Sequence, residues 1–256
     1  LRVALVQFDI AWEDAPENHR RLTRHLDFAR EQGARLAILP EMFSSGFSMD
    51  AARTAEPPGG STEQFLLERA SKLGLWILGS IAEAGSPQPR NTVLIVSPRG
   101  QVTRYSKIHP FTYSGEDRHY AAGERIVTVE IEGVRVTPFV CYDLRFPEVF
   151  RFAAHDTDLF AVVANWPEAR REHWKTLLRA RAIENQAYVA GVNRVGEGGK
   201  LRYSGDSALI DPLGEAIFER VECEAVLAGD VEPARVAEVR QKFPFLRDTR
   251  PEAYRR

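Results

Sequence analysis

The chain has 256 residues, 44% of them hydrophobic and 27% charged, and its 34 Lys and Arg nearly balance 36 Asp and Glu, for a formal net charge of −2. That composition belongs to an ordinary globular protein large enough to bury a core, and it excludes a disordered or fibrous chain. With no basic stripe carrying interleaved aromatics and no apolar run of membrane-spanning length, neither nucleic acid nor a bilayer is an expected partner; a small molecule is.

Predicted strands and helices alternate from the start. Residues 2–8 (RVALVQF) read as a strand, and 17–32 as an amphipathic helix with Leu22, Leu26 and Ala29 at helical spacing and Gly33 ending it. The apolar run 36–39 (LAIL) fits a buried strand that stops at Pro40. A second helix is expected over 62–73, capped by Ser61 with Glu63 and Gln64 in its first turn, and a strand over 75–81 follows. The rhythm then changes to hairpins: 91–97 with 101–106 around Pro98-Arg99-Gly100, and 125–131 with 134–140 around Glu132-Gly133. Alternation resumes with a helix near 146–155, a strand over 159–165, a helix over 169–185 and a strand over 188–193. Strands at 208–211, 216–219 and 225–230 and a helix near 233–241 precede a polar tail.

Helices segregated from mixed sheets, with hairpins inserted, suggest an α/β fold layered as helix, sheet, sheet and helix. No repeat, low-complexity tract or linker interrupts it, and Pro57-Pro58-Gly59-Gly60 reads as a loop, so residues 1–256 are expected to form a single domain. Cys141 and Cys223 are the only cysteines, and a core of this size needs no disulfide staple. The opening LRVALVQF turns polar too soon for a signal peptide, so free thiols in a reducing cytoplasm are expected.

Three residues with chemical potential sit at the ends of apolar strands, where rigid elements hand over to loops and a side chain is both fixed and accessible. Glu41 follows LAILP, Lys107 follows the run ending Arg104-Tyr105-Ser106, and Cys141 follows 134–140 and opens CYDLRFPE. Taken singly, each has an ordinary structural reading: a solvated loop carboxylate, a surface ammonium, a small buried thiol. As a set they describe nucleophilic catalysis. A thiol with a pKa of about 8.5 is only a few per cent thiolate at neutral pH and needs a base or a cation beside it. Glu41 is then the base that takes the thiol proton, passes it to departing ammonia and later activates water. Lys107 and the backbone N–H of Tyr142 are the donors to the oxyanion.

The segments LPEMF, YSKIHPF and FVCYDLRFPE resemble the three catalytic motifs of the nitrilase, or carbon–nitrogen hydrolase, superfamily. The similarity continues in order through residues 164–196, then YSGDSALIDPLGE and VRQKFPFLRD. The resemblance implies a four-layer α-β-β-α sandwich of two mixed sheets, a Glu-Lys-Cys triad carried by Glu41, Lys107 and Cys141, a thioester intermediate and a homodimer. It also implies a second glutamate between the lysine and cysteine motifs, here Glu116 in FTYSGEDRHYAAG, holding Lys107 or orienting the substrate; Asp117 and Glu124 compete for that place. The wording NWPEAR, RARAIENQAYVAGVNRVG and YSGDS is similar to the omega-amidase branch. That branch implies the omega-amide of a 2-oxo dicarboxylic acid as substrate, 2-oxoglutaramate or 2-oxosuccinamate, giving the 2-oxo acid and ammonia.

Residues around this centre carry open readings. Arg145, four after Cys141, can bind a substrate carboxylate or pair with an internal acid, and Arg194 is another source of positive charge. Trp166 is either an aromatic wall of the pocket or ordinary packing, with Phe47, Tyr203 and Phe43 weaker candidates for the wall. Arg181, Glu184 and Asn185 read as structural, like the helix face of Trp174, Leu177, Leu178 and Ala182. The histidines have no metal-ligand spacing and no phosphate-binding glycine motif occurs, so neither metal nor cofactor is expected. Cys223, between Glu222 and Glu224, is expected to be inert. The same triad serves N-carbamoyl amidohydrolases, aliphatic amidases and nitrilases. A catalytically silent binding protein of this fold is the alternative of another class, and the intact motifs argue against it.

Overall fold

The computed structural model describes residues 1–253, apart from the side chains of Val221 and Pro251. Strands β1 (Arg2–Gln7), β2 (Leu36–Ile38), β3 (Trp76–Glu83), β4 (Arg90–Val96) and β5 (Val102–Ser106) build one sheet. A second contains β6 (Val129–Ile131), β7 (Val134–Val140), β8 (Leu159–Ala164), β9 (Tyr188–Asn193), β10 (Val195–Gly198), β11 (Leu201–Ile210) and β12 (Ala216–Val221). Strand β13 (Ala225–Asp230) returns to the first sheet beside β1. The orders are β13-β1-β2-β3-β4-β5 and β10-β11-β9-β8-β7-β6, with β12 beside β11. Each sheet has a parallel centre, β1-β2-β3 or β7-β8-β9, and antiparallel flanks. The helices are α1 (Ala15–Glu31), α2 (Ala51–Thr54), α3 (Ser61–Leu73), α4 (Pro147–Ala153), α5 (Arg171–Asn185) and α6 (Pro233–Lys242).

Side-chain alternation in β1 accounts for the layering. Val3 and Leu5 join a core shared with β7, β8, β9, α4 and α5, whereas Ala4, Val6 and Phe8 join Leu22, Leu26 and Leu66 of α1 and α3. β2 repeats the division, with Leu36 and Ile38 in the first core and Ala37 and Leu39 in the second. Because both faces of these strands are covered, they read in sequence as continuous apolar runs. The result is the four-layer α-β-β-α sandwich that the resemblance implied. Among the described residues no helix is long and apolar enough to cross a membrane.

Two local expectations need correction, and one region went unread. Ser61 does not cap α3; Gly60 is the N-cap residue. The Glu56 carboxylate instead accepts from Thr62 N (2.8 Å) and Ser61 Oγ (3.0 Å), bringing negative charge to the positive end of the helix dipole. The strand expected over 125–131 shrinks to β6, and a hydroxyl pair, Thr128 with Thr137 at 2.8 Å, takes over where the ladder ends. β10 and the first half of β11 were illegible because Gly196, Gly198, Gly199 and Gly205 break any alternation.

The parallel centres send the exits of β2, β7 and β8 to one edge of the sandwich, and β5 delivers its end to the same place. Gly123 makes this possible at β5. Its N–H donates to Lys107 O (2.7 Å), and a Cβ there would lie 2.0 Å from Ser106 O. The obstacle is backbone and cannot rotate away. Gly123→Ala should therefore cost about 2 kcal/mol or more, read as a lower denaturant midpoint with an unchanged m-value. An unaltered midpoint would mean that this segment is free to move away from β5.

Candidate active site

Glu41, Lys107, Glu116 and Cys141 come from four separate stretches of chain and meet at these strand exits. Leu39 N still donates to Leu78 O (2.7 Å), but Pro40 has no N–H to give, so the ladder stops there. Met42 then turns with φ 44° and its N–H on Ser80 Oγ (2.9 Å). Glu41 is thereby aimed inward and is wholly buried. Its Oε1 accepts from Lys107 Nζ (3.0 Å) and Asn91 Nδ2 (2.8 Å), and its Oε2 from Asn165 N (2.8 Å). Lys107 leaves β5 with its own N–H on Asn91 O (2.9 Å). Glu116 stands at the start of a short 3-10 turn and receives Lys107 Nζ on both oxygens, at 3.1 and 2.8 Å.

Cys141 ends β7 in the left-handed region, φ 43°, and begins a 3-10 turn through Arg145. A non-glycine residue held there stores on the order of 1 kcal/mol of strain, and its neighbours must enforce it. Asp143 does so. This buried carboxylate accepts from Val140 N (3.0 Å), Tyr105 Oη (2.7 Å) and His109 N (2.9 Å), and pairs with His109 Nδ1 (2.8 Å). It thus fastens the segment after Lys107 to the cysteine turn. Tyr142 lies in the first turn of that 3-10 helix, where leading N–H groups lack a partner within the helix.

The electrostatics follow from burial. For Lys107, burial alone would depress the ammonium, but Glu116 and Glu41 more than reverse it and hold the pKa above its ordinary value. For Glu116, burial raises the carboxyl, with Lys107 opposing and Glu41 adding to the rise. For Cys141, burial comes first and the Glu41 carboxylate second; together they push the thiol well up, against the pull of Lys107. A hydrogen bond to Glu41 contributes in the same direction. Burial and Glu41 together favour the protonated thiol.

Cys141 opens into a cavity of about 190 Å³, lined also by Phe47, Tyr142, Arg145, Trp166 and Tyr203, the residues expected to contact a ligand. Arg170 lines it too, and none of the lining residues is an acid. The Arg145 guanidinium lies 4.8 Å over the Trp166 ring and that of Arg170 lies 5.6 Å over Phe111. Neither has a carboxylate partner among the described residues; Arg145 reaches only His173 Nδ1, at 3.1 Å. Trp166 is both wall and packing, since its Nε1 donates to Arg170 O (2.8 Å) and its ring lies 5.6 Å from that of Trp174. The Phe47 ring sits 5.2 Å from Lys107 Nζ.

Arg194 does not face the cavity. It is buried, bound to Asp9 Oδ1 (2.8 Å) and Ile10 O (3.0 Å), and stacked 4.7 Å from Tyr203, so it braces the wall from behind. Phe43 belongs to the core of the first helical layer, not to the wall. Asp117 and Glu124 are exposed, which leaves Glu116 as the second carboxylate of the cluster. Arg181 holds Leu144 O (2.7 Å) and Glu184 (2.8 Å), a structural role as expected. Sequence reading missed Asn91, Asp143, Asn165 and Arg170. Asn165 stands directly after β8, the same strand-exit position that singled out the others, and Asn91 lies in the polar start, Arg90-Asn91-Thr92, of a strand that turns apolar after it.

Comparison with known proteins places this geometry. The carbon-nitrogen hydrolase family model matches residues 2–241. The chain is 42% identical over 250 residues to Omega-amidase YafV of Escherichia coli strain K12, covering 97% of this chain and 96% of that protein. It is 32% identical over 256 residues to the 2-oxoglutaramate amidase of Bacillus subtilis strain 168, covering 98% of each. Among solved structures, XC1258 from Xanthomonas campestris, a CN-hydrolase superfamily protein with an arsenic adduct in its active site, superposes with a TM-score of 0.93 at 43% identity over 98% of this chain and 97% of that one. Matched along almost its whole length in sequence and in fold, the chain belongs to the carbon–nitrogen hydrolase family and is a hydrolase of carbon–nitrogen bonds other than peptide bonds.

Proposed function

We propose that the protein hydrolyses the terminal amide of a small linear acid through a thioester on Cys141, its substrate being the omega-amide of a 2-oxo dicarboxylic acid. One observation carries this reading. The thiol, Glu41 and Lys107 converge beside a small cavity that carries two guanidiniums without carboxylate partners and no acid. Two guanidiniums without an acid in the lining favour an anionic ligand. The omega-amidase and 2-oxoglutaramate amidase relatives support the same substrate class.

In this mechanism the substrate carboxylate and 2-oxo group lie against Arg145 and Arg170 and the amide carbonyl lies over Cys141. Glu41 takes the thiol proton as sulfur attacks the carbonyl carbon. The oxyanion is held by Lys107 Nζ and the N–H of Tyr142. The intermediate collapses, the carbon–nitrogen bond breaks, and protonated Glu41 gives its proton to the departing nitrogen, leaving ammonia and a thioester. Water then attacks the thioester with Glu41 again as base, and the acid and the free thiol are released. Glu116 keeps Lys107 charged and in place throughout. The reading treats residues 1–256 as one hydrolase domain. We also infer a homodimer paired through the outer face of α4 and α5, where Phe152 and Ile183 stand exposed.

Released ammonia measured across 2-oxoglutaramate, 2-oxosuccinamate, N-carbamoyl amino acids, simple aliphatic amides and nitriles tests the substrate. The two oxo-amides should give the highest kcat/KM; carbon dioxide appearing with ammonia as the dominant outcome would replace this substrate class with a carbamoyl compound. Cys141→Ala should lower turnover about 1000-fold or more with an unchanged melting temperature. Cys141→Ser should be nearly as damaging, because a carboxylate is too weak a base for an alcohol. Substantial activity in the alanine variant ends the thioester mechanism. Arg145→Gln and Arg170→Gln should each raise KM for the oxo-amides by about 10-fold or more while leaving an uncharged aliphatic amide unaffected. Equal losses on both substrates would assign the arginines to structure.

A further inference from the structure

We propose that Asn91 is a positioning residue that keeps Glu41 free to act as a base by holding apart the protonation of the two buried glutamates. The proposal rests on the reading above, in which Glu41 accepts the thiol proton. Glu41 Oε1 and Glu116 Oε1 share the same two donors. Lys107 Nζ lies 3.0 and 3.1 Å from them, and Asn91 Nδ2 lies 2.8 and 3.2 Å from them. The amide orientation is forced, because its oxygen cannot face two carboxylate acceptors. Through its backbone carbonyl, which receives Lys107 N at 2.9 Å, Asn91 also sets the position of the lysine.

The need for such a residue is electrostatic. Two carboxylates against one ammonium leave surplus negative charge on buried groups, and crowded buried carboxylates relieve that surplus by sharing a proton. A proton captured by the pair blocks Glu41 from taking the one on Cys141. The Asn91 amide gives each oxygen a second donor without bringing a charge or a transferable proton. The titratable groups facing the pair are Lys107 from the end of β5, Cys141 from the turn after β7, Tyr120 near Glu116 and Tyr203 near Glu41. Burial lifts both tyrosines to about 12, so they stay neutral over the working range. Burial also lifts Glu116.

Removing the donor favours the protonated form of the pair, so the acid limb of the activity profile must move to higher pH. The test compares wild type with Asn91→Leu, which removes the donor at similar size, and Asn91→Ser, which keeps one hydroxyl donor. Two rates are followed from about pH 5 to pH 9: kcat/KM, and alkylation of Cys141 by iodoacetamide without substrate. In Asn91→Leu the acid limb of both should rise by about one unit or more, with activity recovering toward wild type as pH increases and KM little changed. Asn91→Ser should lie between the two, and it still decides the matter if the leucine variant does not fold. A loss of the same factor at every pH, or a limb that does not move, overturns the role. Alkylation needs no substrate, so it judges Asn91 even if the oxo-amide assignment fails, and Cys141→Ala judges the nucleophile separately.

Discussion

One ammonium buried between two carboxylates is the constraint that organises this protein. Lys107, Glu41 and Glu116 are all withdrawn from water, and a charge left unpaired in such a place would cost about 3–5 kcal/mol. Each must therefore keep its partners within hydrogen-bond distance, which loops alone do not guarantee. The fold answers by taking them from, or tying them to, the ends of rigid strands. β2 delivers Glu41, β5 delivers Lys107, and the N–H of Phe111 holds Glu116 from its own loop.

The cluster also joins the two sheets. Glu41 belongs to the first sheet, yet its Oε2 and its carbonyl oxygen both receive hydrogen bonds from Asn165, which follows β8 in the second. Asp143 makes the complementary connection, since it sits after β7 and holds His109 and Tyr105 from the first-sheet side. Cys141, the proposed nucleophile, lies between these two ties. A shift of one sheet over the other would break buried polar bonds before it disturbed the apolar core, so the geometry around the thiol is as stiff as the packing of the sandwich. This explains how a non-glycine residue stays at φ 43° on a cavity wall.

Much of this was legible in sequence, for physical reasons that differ by residue. The strands buried on both faces announce themselves as apolar runs, and the residues at their exits, Glu41, Lys107 and Cys141, stand out as charge or sulfur where hydrophobicity stops. The four layers follow from the resemblance together with the order of runs and hairpins. What was hidden depends on long-range contact. Asn91 reads as one polar position in a strand until Glu41, 50 residues away, is seen to lie against it. Arg194 reads as an available cation until its partners Asp9 and Ile10, at the opposite end of the chain, are known. Arg170 carries no periodic signal, being defined only by the ring of Phe111 beneath it and its place in the cavity lining. The glycine-rich stretch forming β10 and early β11 fails for another reason: the two strands pair with each other, and their glycines leave no alternation to announce the hairpin.

The raised thiol has a meaning within the proposed chemistry. A nucleophile kept as a permanent thiolate would need its cation close, and Lys107 is committed to two carboxylates. In the proposed chemistry the proton instead rests on sulfur, which Glu41 favours by lifting the thiol. Proton transfer is drawn forward when a carbonyl arrives and offers its oxygen to Lys107 and the N–H of Tyr142, since the charge leaving Glu41 is rebuilt on the oxyanion beside the ammonium. Negative charge moves from carboxylate to oxyanion within one buried cluster, with the total unchanged. The same proton, parked on Glu41, is already in place for the departing nitrogen. A thiol held neutral until substrate binds is thus the state from which a single carboxylate can serve both halves of the reaction.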